Sequence, residues 1–397
     1  MSRKFGSSVA LATLAWGICV SVTQAQMFFE ADAVFLDRSG GIGGSALING
    51  SNPVSTSGLS TGFQSGYRLT FGGEFMEYQL DTSFTQVNPW QDSARGTLPN
   101  LVILDETFGP IVDPGGVANT IAFPNGVFDA ATQPAELTES ERLQGGAVWT
   151  YLDRANYRDF EVNLGTGRSY RPWRVAFGYR QIKYDGRSLF TLGGTFDAID
   201  TDDAAVAGGV GNDANDILDS ASILAAGFAS TGMAADNFDS LATGDGPDIL
   251  TYANFGQANN ELNGAQTTFG FRMLDATWIT LEGTAKAGIY QNNIFGRLTE
   301  SIVGTGNNSS AYQRAFVDQK HAAAFAGNVG LRAIVSLTDY VNLTGGYELT
   351  FLTGLALAGD QSQGLGRDPI SGNRFYSVRN RGDVLLHGGN VGLELNW

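Results

Sequence analysis

Residues 387–397 read HGGNVGLELNW. Val391, Leu393, Leu395 and Trp397 share one parity, and Asn390, Glu394 and Asn396 share the other. Strict alternation is the mark of a strand with one apolar and one polar face. A chain that closes on such a strand, with an aromatic residue last, implies that something holds its end in order.

The same alternation recurs along the sequence. Residues 63–84, FQSGYRLTFGGEFMEYQLDTSF, read as a hairpin turning at Gly72-Gly73, with Tyr67, Leu69, Phe71, Tyr78, Leu80 and Phe84 on its apolar face. Residues 28–37, 158–165, 172–184, 261–290 and 324–351 repeat the pattern. Several runs reach about ten residues, the length a tilted strand needs to cross a bilayer; strands of soluble proteins are nearer five or six. Tight turns at 72–73, 274–277 and 337–340 alternate with long Gly-, Asn- and Asp-rich stretches near 38–62, 86–141, 197–258, 291–321 and 354–383. Short turns on one side and long loops on the other describe an all-β fold: a closed antiparallel transmembrane β-barrel of ten to twelve strands, with periplasmic turns and extracellular loops. The count depends on two places. Splitting 147–164 near Asp153-Arg154, with a hairpin at Asp185-Gly186, gives twelve; leaving both unbroken gives ten.

A sheet in hydrocarbon cannot leave an edge unpaired, so the first and last strands must meet. That requirement pairs 28–37 with the terminal strand and accounts for its order. Val391, Leu393, Leu395 and Trp397 then form the assembly signal, with Trp397 at the membrane interface. The charged parity must face inward: Glu30, Asp32, Arg68, Glu77, Asp81, Glu161, Arg180, Arg272, Glu282, Lys286, Arg332, Glu348 and Glu394.

Composition narrows the function. Asp and Glu number 40 against 24 Lys and Arg, a net charge of −16, which argues against nucleic acid as a partner. Residues 1–25 read as a cleaved signal peptide: Arg3 and Lys4, an apolar stretch from about Val9 to Val22, then Thr23-Gln24-Ala25. The single cysteine, Cys19, lies inside it, so the domain at 26–397 has neither a disulfide nor a thiolate ligand.

Taken in order, GYRLTFGGEF, YQLDTSFTQVNPW, EVNL, AFGYR, ELNGAQTTFGFR, GTAKAGIYQN, LTGGYELTFLTGLALAGDQ and HGGNVGLELNW resemble the outer-membrane β-barrel family expanded in planctomycetes. The resemblance runs from Phe28 to Trp397, broken by the long loops. It implies a barrel in the outer membrane of a Gram-negative-type cell, of pore-forming or scaffold type, and supplies no catalytic residues. The stretch LTGLALAGDQ (352–361) departs from the family pattern in lacking a proline.

Remaining candidates for chemistry are sparse. The acidic stretch 197–248 contains GGVGNDAND (208–216), where Asp213 and Asp216 match one copy of a calcium-binding nonapeptide. His321 and His387 lie near carboxylates Asp318 and Asp383, the residue types of a hydrolytic rim site. The expected function is a passive solute channel or structural barrel, with membrane lipid and the assembly machinery as partners, no cofactor and no enzymatic activity. A surface binding protein using its acidic loops on calcium or a glycan is second, and a rim hydrolase third.

Overall fold

The structure is a computed structural model describing residues 26–40, 46–48, 54–55, 59, 61–98, 101–104, 119–122, 141–167, 172–197, 227–231, 249–305, 310–367 and 374–397. The stretch 1–25 expected to be a signal peptide, and Asp213 and Asp216, fall outside these residues.

Ten long strands build the fold: β1 (Gln26–Gly40), β2 (Gln64–Phe75), β3 (Tyr78–Leu98), β4 (Glu141–Thr166), β5 (Trp173–Asp197), β6 (Ile249–Ala276), β7 (Ile279–Thr305), β8 (Ser310–Ser336), β9 (Val341–Leu355) and β10 (Gly382–Asn396). Each pairs antiparallel with its sequence neighbours, and β1 pairs with β10, so the sheet closes. The seam runs in unbroken register from Phe28 opposite Asn396 to Gly40 opposite Val384. Met27 and Trp397 extend it by exchanging N–H···O bonds of 2.9 and 3.0 Å. The last residue is ordered because it seals the ring.

The outer surface carries an apolar belt. On β6 it comprises Ala265, Thr267, Phe269, Phe271 and Met273, and on β10 Val391, Leu393, Leu395 and Trp397. Trp173, Trp278, Tyr340, Tyr78 and Trp397 stand exposed at the turn end, where amphipathic rings favour the membrane interface. Among the described residues no helix is long and apolar enough to cross a membrane; the strands cross it.

The belt ends at one level around the ring. Val162, Tyr179, Ala265, Ile289 and Phe325 are register neighbours across β4 to β8. Two positions further along, β5 to β7 present Gln181, Asn263 and Gln291, again in register. On β1, β2, β3 and β4 the outward residue changes from Phe35 to Asp37, Tyr67 to Ser65, Phe84 to Gln86 and Phe160 to Arg158. Beyond that level the pattern inverts. Outward residues are polar, as at Lys183, Asp185 and Arg187, while Val34, Leu36, Trp90, Ile182, Tyr184 and Leu262 form a buried core within the ring. Where water replaces lipid outside, burial becomes favourable inside.

This inversion accounts for the departures from the sequence reading. Strands β4 to β8 run 25 to 28 residues, far beyond the ~9–11 that cross a bilayer. Residues 291–305 and 310–321, expected within a long loop, continue β7 and β8, leaving 306–309 as the connection. The stretches expected as loops near 38–62, 86–141, 197–258 and 354–383 likewise lose their ends to strands. Asp153-Arg154 and Asp185-Gly186 both lie mid-strand, so the count is ten. The first turn is at Met76-Glu77, with Met76 at φ 53°, and not at Gly72-Gly73. Gly72 serves packing instead: a Cβ there would lie 2.4 Å from the Phe28 ring.

The level of the inversion is testable on one strand. Ala287 and Gln291 both face outward on β7, four residues apart, on either side of the boundary. Ala287→Arg places a charge in the upper rows of the lipid belt and is expected to cost about 1–2 kcal/mol more folding free energy than Gln291→Arg, on the scale that falls from about 2–4 at the midplane to about 0–1 at the interface. Denaturant titration of folding into lipid vesicles checks this; equal costs would misplace the boundary.

Candidate functional site: the filled lumen

Alternation along the strands turns a polar face inward at membrane depth, and the charges there pair across the ring. Arg332 on β8 reaches Glu30 on β1 at 2.5 Å and Glu394 on β10 at 2.9 Å. Arg68 on β2 meets Glu348 on β9 at 2.5 Å, and Lys286 on β7 meets Glu161 on β4 at 2.5 Å. Arg174 on β5 pairs with Asp81 on β3. Arg180 binds Asp159 through Nε at 2.9 Å and Nη2 at 2.7 Å. Near the turns Arg272 holds Asp275 at 2.8 Å and approaches Glu282 at 3.9 Å. Asp32 accepts a hydrogen bond from the Thr344 hydroxyl at 3.1 Å. Glu77 is not in this set: it is exposed in the first turn. Arg174 and Asp159 join it, on the same parity as Arg180 and Glu161 that could have revealed them.

Two further buried pairs sit above the membrane level, on stretches where a single apolar parity no longer guides the eye. Arg38 pairs with Asp153 and donates to the Tyr184 hydroxyl at 3.1 Å. Burial opposes that guanidinium's charge, but Tyr184 and Asp153 hold its pKa above the usual value. Burial also pushes the Asp153 carboxyl up, against the pull of Arg38. Arg314 meets Glu300 at 2.6 Å with both side chains essentially inaccessible, and Tyr252 donates to the same carboxylate at 2.6 Å.

The described parts of the connection between β9 and β10, residues 356–367 and 374–381, pack into the mouth of the ring. Leu355, Ala356, Leu357 and Ala358 are buried, and a short 3-10 helix, Ala358–Gly364, packs on β5, β6 and β7. Asn260 on β6 clamps it as a peptide group would. Its Oδ1 accepts from Ala356 N at 2.7 Å, and its Nδ2 donates to Ala356 O at 2.8 Å and Tyr184 O at 3.0 Å. Asn292 on β7 donates to Asn260 Oδ1 and Gly354 O, each at 3.0 Å. Further out, Asp318 accepts from Val378 N at 2.9 Å, and Tyr376 donates to Gln361 at 2.8 Å. The wall thins to admit this plug: a Cβ on Gly256 would lie 2.2 Å from Ala358 O, and one on Gly186 3.3 Å from Ala358 Cβ. The Asp185-Gly186 pair therefore serves packing, not a hairpin. The departing stretch LTGLALAGDQ is the plug's first half.

The histidines are not brought together. Both face outward, on β8 and β10. His321 Nδ1 contacts Asn293 Oδ1 at 2.8 Å, while Asp318 lies on the inward parity of the same strand. His387 contacts Tyr347 OH at 2.9 Å and Ser39 Oγ at 3.1 Å. Among the described residues no three His, Cys, Asp or Glu side chains are grouped to hold a metal ion. A cavity of about 40 Å³ lies beside Trp173, Arg174, Phe271 and Glu282, far below the ~300–1,000 Å³ of small-molecule sites.

A closed ten-stranded sheet with an apolar belt and a polar, paired interior defines the class: a transmembrane β-barrel. No family model matches the chain, and no curated protein matches it. Among solved structures it is similar to the outer-membrane protease OmpT from Escherichia coli, at 10% identity and a TM-score of 0.33, covering 95% of this chain and 98% of that one. It is also similar to the Pseudomonas putida toluene transporter TodX (8% identity, TM-score 0.20, covering 100% and 95%). A third is an anion-selective porin from Comamonas acidovorans (9%, 0.17, 94% and 98%). The class stated here rests on the chain's own closure and belt.

Proposed function

We propose that this protein is a structural barrel of a bacterial outer membrane, closed to solutes, whose tall wall stands well beyond the lipid on the long-connection side. Single-chain β-barrels of this kind are outer-membrane proteins, and the export signal read at 1–25 fits that destination. One observation carries the closed state: the described residues obstruct the interior at three successive levels. Paired charges span it at membrane depth, an apolar core follows, and the segment from Leu355 to Gly364 covers the mouth. Wet pores need unfilled cross-section, and mixed charges on facing walls here satisfy one another instead.

The test is conductance in a planar bilayer. The purified full-length barrel is expected to show no channel steps across salts and voltages. Discrete, reproducible steps from the wild type would replace this reading with an open channel.

A further inference from the structure

Just above the belt most of the outer wall is uncharged, with Ser65, Gln86, Asn263, Gln291, Asn293 and Thr353 facing outward. Strands β4 and β5 differ. Arg158 lies directly opposite Lys183, and Arg154 directly opposite Arg187. All four side chains are exposed on the outer face. Like charges directly opposite on neighbouring strands disfavour pairing, so two such pairs in succession call for an anion. The carboxylates that face them are Asp185, between the two rows, and Glu261 on β6, 3.6 Å from Lys183. Asp185 is partly withdrawn: burial lifts its carboxyl, and Lys183, Arg158 and Arg187 pull it back. Four cations therefore face two carboxylates, in a chain whose net charge is −16.

We propose that this patch binds the phosphorylated head group of a lipid in the leaflet on the long-connection side. The inference rests on the transmembrane reading and its boundary. Arg158 stands two residues above Phe160, and Lys183 four above Tyr179, both in the last rows of the belt. That is head-group depth. Below it Phe160, Val162, Phe177 and Tyr179 face outward along the same two strands, with Phe177 66% exposed, and give the acyl chains an apolar track. Arginine offers phosphate a bidentate fork. The two cation rows are four residues apart, about 13 Å along a strand, a span that suits a head group bearing two phosphates.

The experiment uses full-length protein in an uncharged maltoside detergent, with bound lipid read by native mass spectrometry. The probe is a bis-phosphorylated glucosamine-disaccharide lipid, with phosphatidylcholine as control and millimolar inorganic phosphate as competitor. The wild type is expected to retain one molecule of the probe and little phosphatidylcholine. R154Q/R158Q/K183Q/R187Q is expected to bind about tenfold more weakly or worse, while R154K/R158K/R187K, which keeps the charge but loses the bidentate fork, is expected to fall between the two. Equal retention by wild type and quadruple variant overturns the proposal. So does equal retention of phosphatidylcholine, or displacement of the probe by inorganic phosphate, which would make the patch a site for free anions. Should the quadruple variant not fold, the wild type decides by salt: retention that does not fall from low to high ionic strength also overturns it. Heat-dependent gel migration of the same samples reports the barrel separately, so failure of the lipid site and failure of the membrane reading are distinguishable.

Discussion

Arg332→Met is expected to destabilise the barrel by about 3–5 kcal/mol, the cost of removing one partner from a buried charge cluster. The cluster sits on the seam. Glu30 and Glu394 are direct register partners across β1 and β10, so two carboxylates face each other where the ring closes. Arg332 reaches both from β8, and Asn342 and Asn396 donate to the other oxygen of Glu394 at 3.0 and 3.2 Å. Without the guanidinium the two acids repel along the one strand pair that has no covalent turn to hold it. Neutralising them should restore much of the loss, since exchanging a whole buried ionic group for neutral residues is often tolerated. The comparison is the folding free energy of R332M against R332M/E30Q/E394Q in vesicles. A triple variant no more stable than the single would mean that packing of the Arg332 stem, and not charge at the seam, is what matters.

The seam itself was legible in the sequence, because alternation at 28–37 and 387–397 together with the need to leave no edge in lipid admits one pairing. The belt was legible for the same reason: a single parity stays apolar for as long as lipid lies outside. Legibility ended where the solvent changed. Past Tyr179 the outward residues become Gln181, Lys183 and Asp185 while Ile182 and Tyr184 turn inward, so tracking one apolar face makes the strand seem to stop. That is why 291–321 resembles a loop and why Asp185-Gly186 resembles a hairpin. The ion pairs were half legible. Parity places Arg332 and Glu30 on the inner wall, but nothing local joins residues 302 positions apart; the ring's closure and the reach of the side chain do. The plug left a weaker trace, in the apolar run LALA within an otherwise polar connection.

Asn260→Ala is expected to release the plug while leaving the ring intact. The carboxamide is the partner of both Ala356 N and Ala356 O, in a place where neither meets water. Each stranded backbone group costs about 1–3 kcal/mol, so the segment loses on the order of 2–6 kcal/mol of local stability. That is enough to convert a docked segment into one that opens without global unfolding. Ring strands contribute no hydrogen bond through this side chain except that from Asn260 to Tyr184 O and that from Asn292, so the belt and seam should be unaffected. Gly256→Val should act in the same direction by a different cause, since even a Cβ there meets Ala358 O at 2.2 Å. Limited proteolysis between Leu355 and Gly382 reads the release, and heat-dependent gel migration reads the ring. The charge ladder below the plug stays in place in both variants, so neither is expected to conduct. Protease resistance equal to wild type in both would mean that Gln361, Val378 and Asp318 hold the segment without the asparagine clamp. Channel steps from either variant would instead locate the permeability barrier in the plug and not in the paired charges beneath it.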